Sequence, residues 1–391
     1  MATLLIIVYL SFISLGLPNA LLGAAWPVMR LALHQPEEAL GPASMVFILG
    51  TVISSLLSNR LVKAFGTGKV VAASVLLSAL CLALVSFTGS YFALILIMIP
   101  LGLACGMIDT AANGFVARHY KAIHMNWLHC MWGLGATIGP IIMSGSLKGP
   151  SGWTGGFRTV AILQVALAAV LFLSLPIWRR AGPDIAPSPG DHPPATLRST
   201  FRLPGIAFAM AALFCFVGFE STVGVWASTY LADYKGFDPA TASLYSSLFF
   251  AGITIGRFFT GLIALKVESR PIIRLGALAS VLAGILMVLP LPRVFALIAL
   301  LLLGIANAPL FPAMAHLTPQ RFGQENSQAA MGLLMAAAFM GGALAPPLAS
   351  LLVRLSSLAV IPWLVLALAV PGFWLSQQID PAIHRSQLTS S

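Results

Sequence analysis

Residues 182–204 read GPDIAPSPGDHPPATLRSTFRLP, and this stretch decides how the chain is read. It is polar and rich in proline, with too little apolar content to pack, whereas nearly everything on either side is apolar. Working outward, six apolar runs precede it (3–29, 43–64, 69–88, 92–116, 124–146 and 157–178). Six follow it (205–231, 240–264, 272–290, 294–316, 327–353 and 358–376). A hydrocarbon core of about 30 Å is crossed by about 20 apolar residues in a helix, so each run is long enough to span a bilayer. The chain therefore reads as an all-α polytopic membrane protein of twelve helices in two six-helix bundles. The bundles cover residues 1–178 and 205–376, joined by a linker at 179–204 with a short surface helix near Leu197 to Phe201. A tail occupies 377–391.

Composition agrees with this reading. Hydrophobic residues make up 59% of the chain and charged residues 8%, and the mean hydropathy is +0.94. A soluble protein of this size has no interior large enough for so much apolar surface. The net charge of +10 invites a nucleic-acid reading, but its distribution argues for a membrane. With the N-terminus in the cytoplasm, fourteen of the 21 Lys/Arg fall on cytoplasmic segments, six on the other side and one, Arg257, inside a span. That is the positive-inside bias, and it places both termini in the cytoplasm of a cell-membrane (inner-membrane) protein. Cys81, Cys105, Cys130 and Cys215 lie in apolar runs without paired spacing, which suits packing thiols. The first apolar run has no recognisable cleavage site and reads as a retained helix.

The two halves overlay at a shift of about 202 residues. Gly50 falls on Gly252 and Gly102 on Gly304; at 201, Asn19 and Gly23 fall on Glu220 and Gly224; at 206, Gly135 and Pro140 fall on Gly341 and Pro346. A duplicated six-helix unit is the build of rocking-bundle transporters, with the substrate held near the midplane between halves.

Polar groups inside the spans are the functional clues, because a charge at bilayer depth costs at least about 2.5–3.5 kcal/mol on insertion scales. Of eleven acids, Asp109 and Glu220 lie well inside spans. At 1.5 Å per residue, Asp109 sits roughly 10–12 Å from the cytoplasmic end of the fourth span. Gly102, Gly106, Asp109 and Asn113 form one stripe on that helix, small residues for close approach and polar atoms on the same face. A carboxylate so placed is a candidate proton carrier, the bland alternative being a structural hydrogen bond. His129, at similar depth in the fifth span, either forms a protonation switch with Asp109 or is a neutral histidine on a backbone carbonyl. Glu220 sits among Gly218, Ser221, Thr222 and Gly224, where a helix could unwind beside a cavity, or else pairs with Arg257. Arg257 follows Gly252 and Gly256 and suits a conformational ion pair, the alternative being a contact with substrate. Asn19, Trp26, Asn113, Asn126, Trp132, Glu220 and Asn307 are the candidate substrate-binding side chains. Asn307, Pro309, Pro312 and His316 suggest a broken tenth helix.

Two resemblances add to this. The loop after the second span, Asn59-Arg60-Leu-Val-Lys63-Ala-Phe-Gly66-Thr-Gly68-Lys69, resembles the basic, glycine-containing loop of the major facilitator superfamily. The resemblance implies a conformational role for Arg60, Lys63, Gly66 and Lys69. Asp109-Thr-Ala-Ala-Asn113, with Asn126-Trp-Leu-His129 and the run to Gly139-Pro140, resembles the signatures of the fucose permease-like branch. There the fourth-helix acid is tied to proton coupling and sugar binding, and Asp109 occupies its place.

No phosphate loop, nucleophile elbow or HExxH motif occurs, so the reading is of a transporter and not an enzyme. It calls for no cofactor or metal, and its partners are protons, a small-molecule substrate and lipid, with a monomer sufficient mechanically. The expectation is proton-coupled uptake of a small polar solute such as a sugar or sugar derivative, with Asp109, His129 and Glu220 handling the proton. The alternatives are a proton-driven exporter of amphiphilic compounds and a non-transporting scaffold or receptor.

Overall fold

The computed structural model describes residues 2–120, 122–180, 197–264 and 266–390. Twelve of its helices are long and apolar enough to cross a membrane. The first six spans are Thr3–Ala32, Glu37–Phe65, Thr67–Val85, Tyr91–His119, Trp127–Leu147 and Gly152–Leu173. The last six are Ile206–Tyr234, Pro239–Ile263, Ser269–Val288, Val294–Phe322, Ser327–Leu355 and Val360–Arg385. Helices are what the solvent allows, because lipid offers no partner to a backbone N–H or C=O. The outer surface of the spans is apolar, as lipid requires: Leu56 and Leu173 are 78% and 80% exposed. Cys81, Cys105, Cys130 and Cys215 are buried free thiols.

The halves repeat the same pairings. Spans one and five, two and four, and three and six pack together, as do seven and eleven, eight and ten, and nine and twelve. Between the halves, span five meets eight, two meets eleven and one meets seven. The duplication seen in the glycines carries through to the crossings. A Cβ on Gly102 would run into the carbonyl oxygen of Phe47, and a Cβ on Gly304 into that of Phe249. The two pairs are related by the same shift of 202 residues that relates Gly50 to Gly252. Side chains are excluded at these crossings so that helix backbones can touch, which is how helices gain contact where lipid removes the hydrophobic drive.

Several local features depart from regular helices. Gly66, at φ +82°, is the single residue joining spans two and three, and its N–H bonds Val62 O at 2.8 Å. A Cβ on nearby Gly68 would meet the Trp178 ring. Span ten is two helices, Val294–Asn307 and Leu310–Phe322, broken at Ala308-Pro309 as the prolines suggested. Span seven does not unwind beside Glu220: Ile206–Thr229 is regular helix, and the irregularity is a π-turn at Tyr230–Tyr234. Beyond the halves, Leu197–Thr200 forms the short helix, while 181–196 lie outside the described residues. Span twelve belongs to a helix running Val360–Ser390, so most of the stretch expected as a tail continues the helix. On that extension Asp380 takes both Nε and Nη2 of Arg321, at 3.0 and 2.9 Å.

Candidate functional site: a cavity between the two bundles

A cavity of about 1060 Å³ lies between the halves. Its wall runs from Asn19 and Gly23 of span one, past Asp109 and Glu220, to Ala117, Ala264 and His316 at the ends of spans four, eight and ten. Those ends lie on the face that carries the chain termini, so the cavity reaches that face.

The opposite face is closed at each of the three largest contacts between halves. Between spans one and seven, a Cβ on Gly23 would strike the Val225 carbonyl, and Ser228 Oγ donates to Ala24 O at 3.3 Å. Further out, Arg30 forms an ion pair with Asp233 at 3.1 Å and meets Glu37 at 3.4 Å. Between spans five and eight, Ser243 Oγ donates to Pro140 O at 3.0 Å. Between spans two and eleven, Gly41 lies against Ser350 with no room for a Cβ. The cavity is thus open toward the termini and shut opposite.

Within the cavity the polar groups come in pairs. Asn113 Nδ2 donates to Asp109 Oδ1 at 2.9 Å, one turn apart on span four. Glu220 of span seven accepts from Asn307 Nδ2 at the break in span ten. Arg257 of span eight reaches across to the other half: its Nη1 donates to the backbone oxygen of His129 at 3.3 Å, and its guanidinium lies 5.1 Å over the Trp132 ring. It stands within Coulombic range of both Asp109 and Glu220. Among the described residues it forms no ion pair with either. Of the two readings left open for Glu220, the pair with Arg257 does not form: Glu220 takes Asn307, and Arg257 extends toward span five.

The other expected residues divide. Asn19, His129 and Trp132 line the cavity. His129 presents its ring edge-on to Phe12 at 5.7 Å and makes no hydrogen bond with Asp109 among the described residues; its backbone oxygen serves Arg257 instead. Asn307 is 4% exposed and stands behind Glu220, off the wall. Trp26 does not reach the cavity. It is fully buried, donates from Nε1 to Glu37 O at 3.0 Å and packs against Tyr91. The side chain of Asn126 lies outside the described residues. Arg60, Lys63 and Lys69 are exposed around the turn at Gly66, on the termini face.

Sequence reasoning missed two sets of residues. Thr110 Oγ1 donates to Ser55 Oγ at 3.0 Å on the wall, which the stripe at Gly102–Asn113 could have suggested only with the partner helix known. Met331, Met335 and Phe339 form an apolar strip on span eleven, marked by i, i+4, i+8 spacing. Among the described residues no group of three His, Cys, Asp or Glu could hold a metal ion.

Two six-helix halves around one cavity, open to a single face, define a solute transporter. The Major Facilitator Superfamily model matches residues 8–293 and 209–386, and the chain belongs to that family. Its members bind small-molecule substrates and are not enzymes. The chain is 23% identical over 395 residues to "Bypass of stop codon protein 6" of Saccharomyces cerevisiae, covering 91% of this chain and 79% of that protein. It is 26% identical over 275 residues to a "Putative glucose/galactose transporter" of Helicobacter pylori, covering 66% of each. Among solved structures it is similar in fold to a point mutant of the nucleoside transporter NupG, with a TM-score of 0.77 at 13% identity. That match covers 96% of this chain and 98% of the other.

Proposed function

We propose that the chain imports a small polar solute, a sugar or sugar derivative, coupled to protons, as the fucose permease-like resemblance implies. The observation that carries this reading is Asp109: a carboxyl on the wall of the cavity between bundles, held by the Asn113 amide and by no cation among the described residues. Such a group can exchange a proton with the cavity and alter the cost of moving one bundle against the other. Glu220 is the second acid on the wall, contributed by the other half, and His129 shapes the wall near Arg257. With both termini in the cytoplasm of an inner membrane, the cavity faces the cytoplasm and the closed face points outward. Asn19, Asn113, Trp132 and Glu220 contact solute, while Asn307 and Trp26 act from behind the wall. Arg60, Lys63, Gly66 and Lys69 steady the turn between spans two and three as the bundles rock. The sugar half of the reading is supported by the name of the Helicobacter relative. A single chain suffices for this cycle.

The strip of Met331, Met335 and Phe339 favours a second reading, proton-driven export of amphiphilic compounds, since thioethers and rings adapt to apolar cargo.

The test is uptake into proteoliposomes carrying a pH-sensitive dye, with a sugar panel, wild type and Asp109→Asn. Proton influx driven by one sugar and lost in D109N is expected. Proton movement with amphiphiles and with no sugar would transfer the assignment to the exporter.

A further inference from the structure

Among the described residues on the cavity wall, Arg257 is the one arginine or lysine. Its Nη1 is spent on the His129 carbonyl, but Nε is buried with no hydrogen-bond partner and Nη2 makes none among the described residues. Both cavity acids are already engaged by amides, Asp109 by Asn113 and Glu220 by Asn307. The guanidinium therefore keeps its Nε/Nη2 edge unpartnered beside the cavity. The chain shows what that edge does when it has a partner: the same two nitrogens of Arg321 hold the two oxygens of Asp380. A planar fork left unpartnered out of water is costly, and a carboxylate matches it with two parallel hydrogen bonds.

A second group on the wall lacks a partner. Donation from Asn113 Nδ2 to Asp109 fixes the orientation of the amide, because a carboxylate accepts, and this leaves Asn113 Oδ1 buried without a donor. A hydroxyl would satisfy it. A third observation lies on the way out. A recess of about 380 Å³ shares Ala264, Ser269 and His316 with the cavity and adds Lys266 and Arg270 against one acid, Glu268. Arg270 is 3.4 Å from Asp380. Among the described residues Lys266 forms no ion pair, and it offers an anion a point of attraction on the way in.

From these three observations we infer that the solute is a hydroxylated carboxylate, a sugar acid, bound with its carboxylate on the Nε/Nη2 edge of Arg257 and a hydroxyl donating to Asn113 Oδ1. This rests on the reading of the same cavity as a sugar site and narrows it from neutral sugars to their acids.

The test uses the full chain in nanodiscs, with intrinsic tryptophan fluorescence, to which Trp132 on the wall contributes, and thermal shift as readouts. Glucose and galactose are compared with glucuronate, galacturonate and gluconate, and with succinate as an anion without hydroxyls. Saturable binding of a sugar acid at least about tenfold tighter than its parent sugar is expected, the gain of a charge-assisted fork. Arg257→Gln brings that ratio close to one. Arg257→Lys, which keeps the charge and loses the fork, gives an intermediate ratio and guards against a folding defect in R257Q. Neutral sugars binding as well as their acids in wild type would overturn the inference while leaving the sugar reading intact. Succinate binding as tightly as the sugar acids and lost in R257Q would overturn the sugar half and keep the carboxylate on Arg257. Binding of no sugar and no acid would overturn both.

Discussion

Arg30 of span one and Asp233 at the end of span seven are 203 residues apart in sequence and 3.1 Å apart in space. They tie the two bundles together on the face where the cavity is shut. The bond lies at an exposed position although the side chains themselves are only 17% and 23% exposed, so the pair is worth little more than a solvated one. Opening this face must break it. Arg30→Ala or Asp233→Ala is expected to shift the balance toward the state open on this side by at most about 1 kcal/mol, roughly 5-fold. A cysteine placed at Ser228, which is 1% exposed here, reports the shift through faster labelling from that side. The reversed pair Arg30→Asp with Asp233→Arg should slow labelling again. An unchanged rate in both single variants would mean that the helix contacts alone keep the face closed.

The crossings at Gly102 and Gly304 yield a stability prediction. Each glycine lies against a backbone carbonyl of its partner helix, Phe47 and Phe249 respectively. A backbone atom cannot swing aside as a side chain end can, so Gly102→Val and Gly304→Val must push whole helices apart. Overpacking of this kind costs about 1–3 kcal/mol. Melting temperature in detergent should fall by several degrees in either variant, and by similar amounts, given that the two crossings are copies. A large loss at one site and none at the other would show that the copies contribute unequally to stability.

What could be read from the chain alone follows from the range of each signal. Apolar runs of about 20 residues identified all twelve spans, and the glycine register at a shift of 202 exposed the duplication before any helix was placed. The Asp109–Asn113 pair was legible because i, i+4 spacing on one helix puts two side chains together. Glu220 with Asn307, 87 residues apart, and Arg257 with the His129 carbonyl, 128 apart, were not. Periodicity states which face of a helix a residue occupies and nothing about which helix meets that face. Trp26 shows the same limit from the other side: it shares a face with Asn19, yet its indole is drawn to the Glu37 carbonyl in the turn before span two.

Outside the membrane, Asp238 caps span eight, its Oδ1 accepting from Thr241 N at 3.0 Å. The side-chain and backbone hydrogen bonds from Thr241 hold its carboxyl below the ordinary aspartate value. A depressed folded-state value means that the cap's contribution is complete above the unfolded aspartate range, near pH 4, and is lost as pH falls through the folded value. Asp238→Asn keeps an acceptor for the Thr241 N–H without the titration. Wild type is therefore expected to lose more stability than D238N between about pH 5 and pH 3. Because Asp238 is exposed, the difference should be small. Parallel acid profiles for the two proteins, followed by helical circular dichroism, would show that the charge adds nothing to the cap.

Glu220 and Asn307 join spans seven and ten within the second bundle, and their bond connects the cavity wall to the break at Ala308-Pro309. Removing the amide in Asn307→Ala leaves a carboxylate out of water without its donor, which costs about 1–3 kcal/mol. Replacing the acid in Glu220→Gln removes the charge and leaves an amide facing an amide, where one can turn to donate to the other. The two changes together should therefore cost less than the sum of each alone, with a coupling of about 0.5–3 kcal/mol. Thermal unfolding of the four proteins of this cycle measures it. Transport separates the contributions further: N307A alters solute affinity only through Glu220, so combining it with E220Q should weaken solute binding no more than E220Q does by itself. Additive losses in both stability and affinity would instead place Asn307 in contact with solute, on a wall that the bundle exposes only after it has moved.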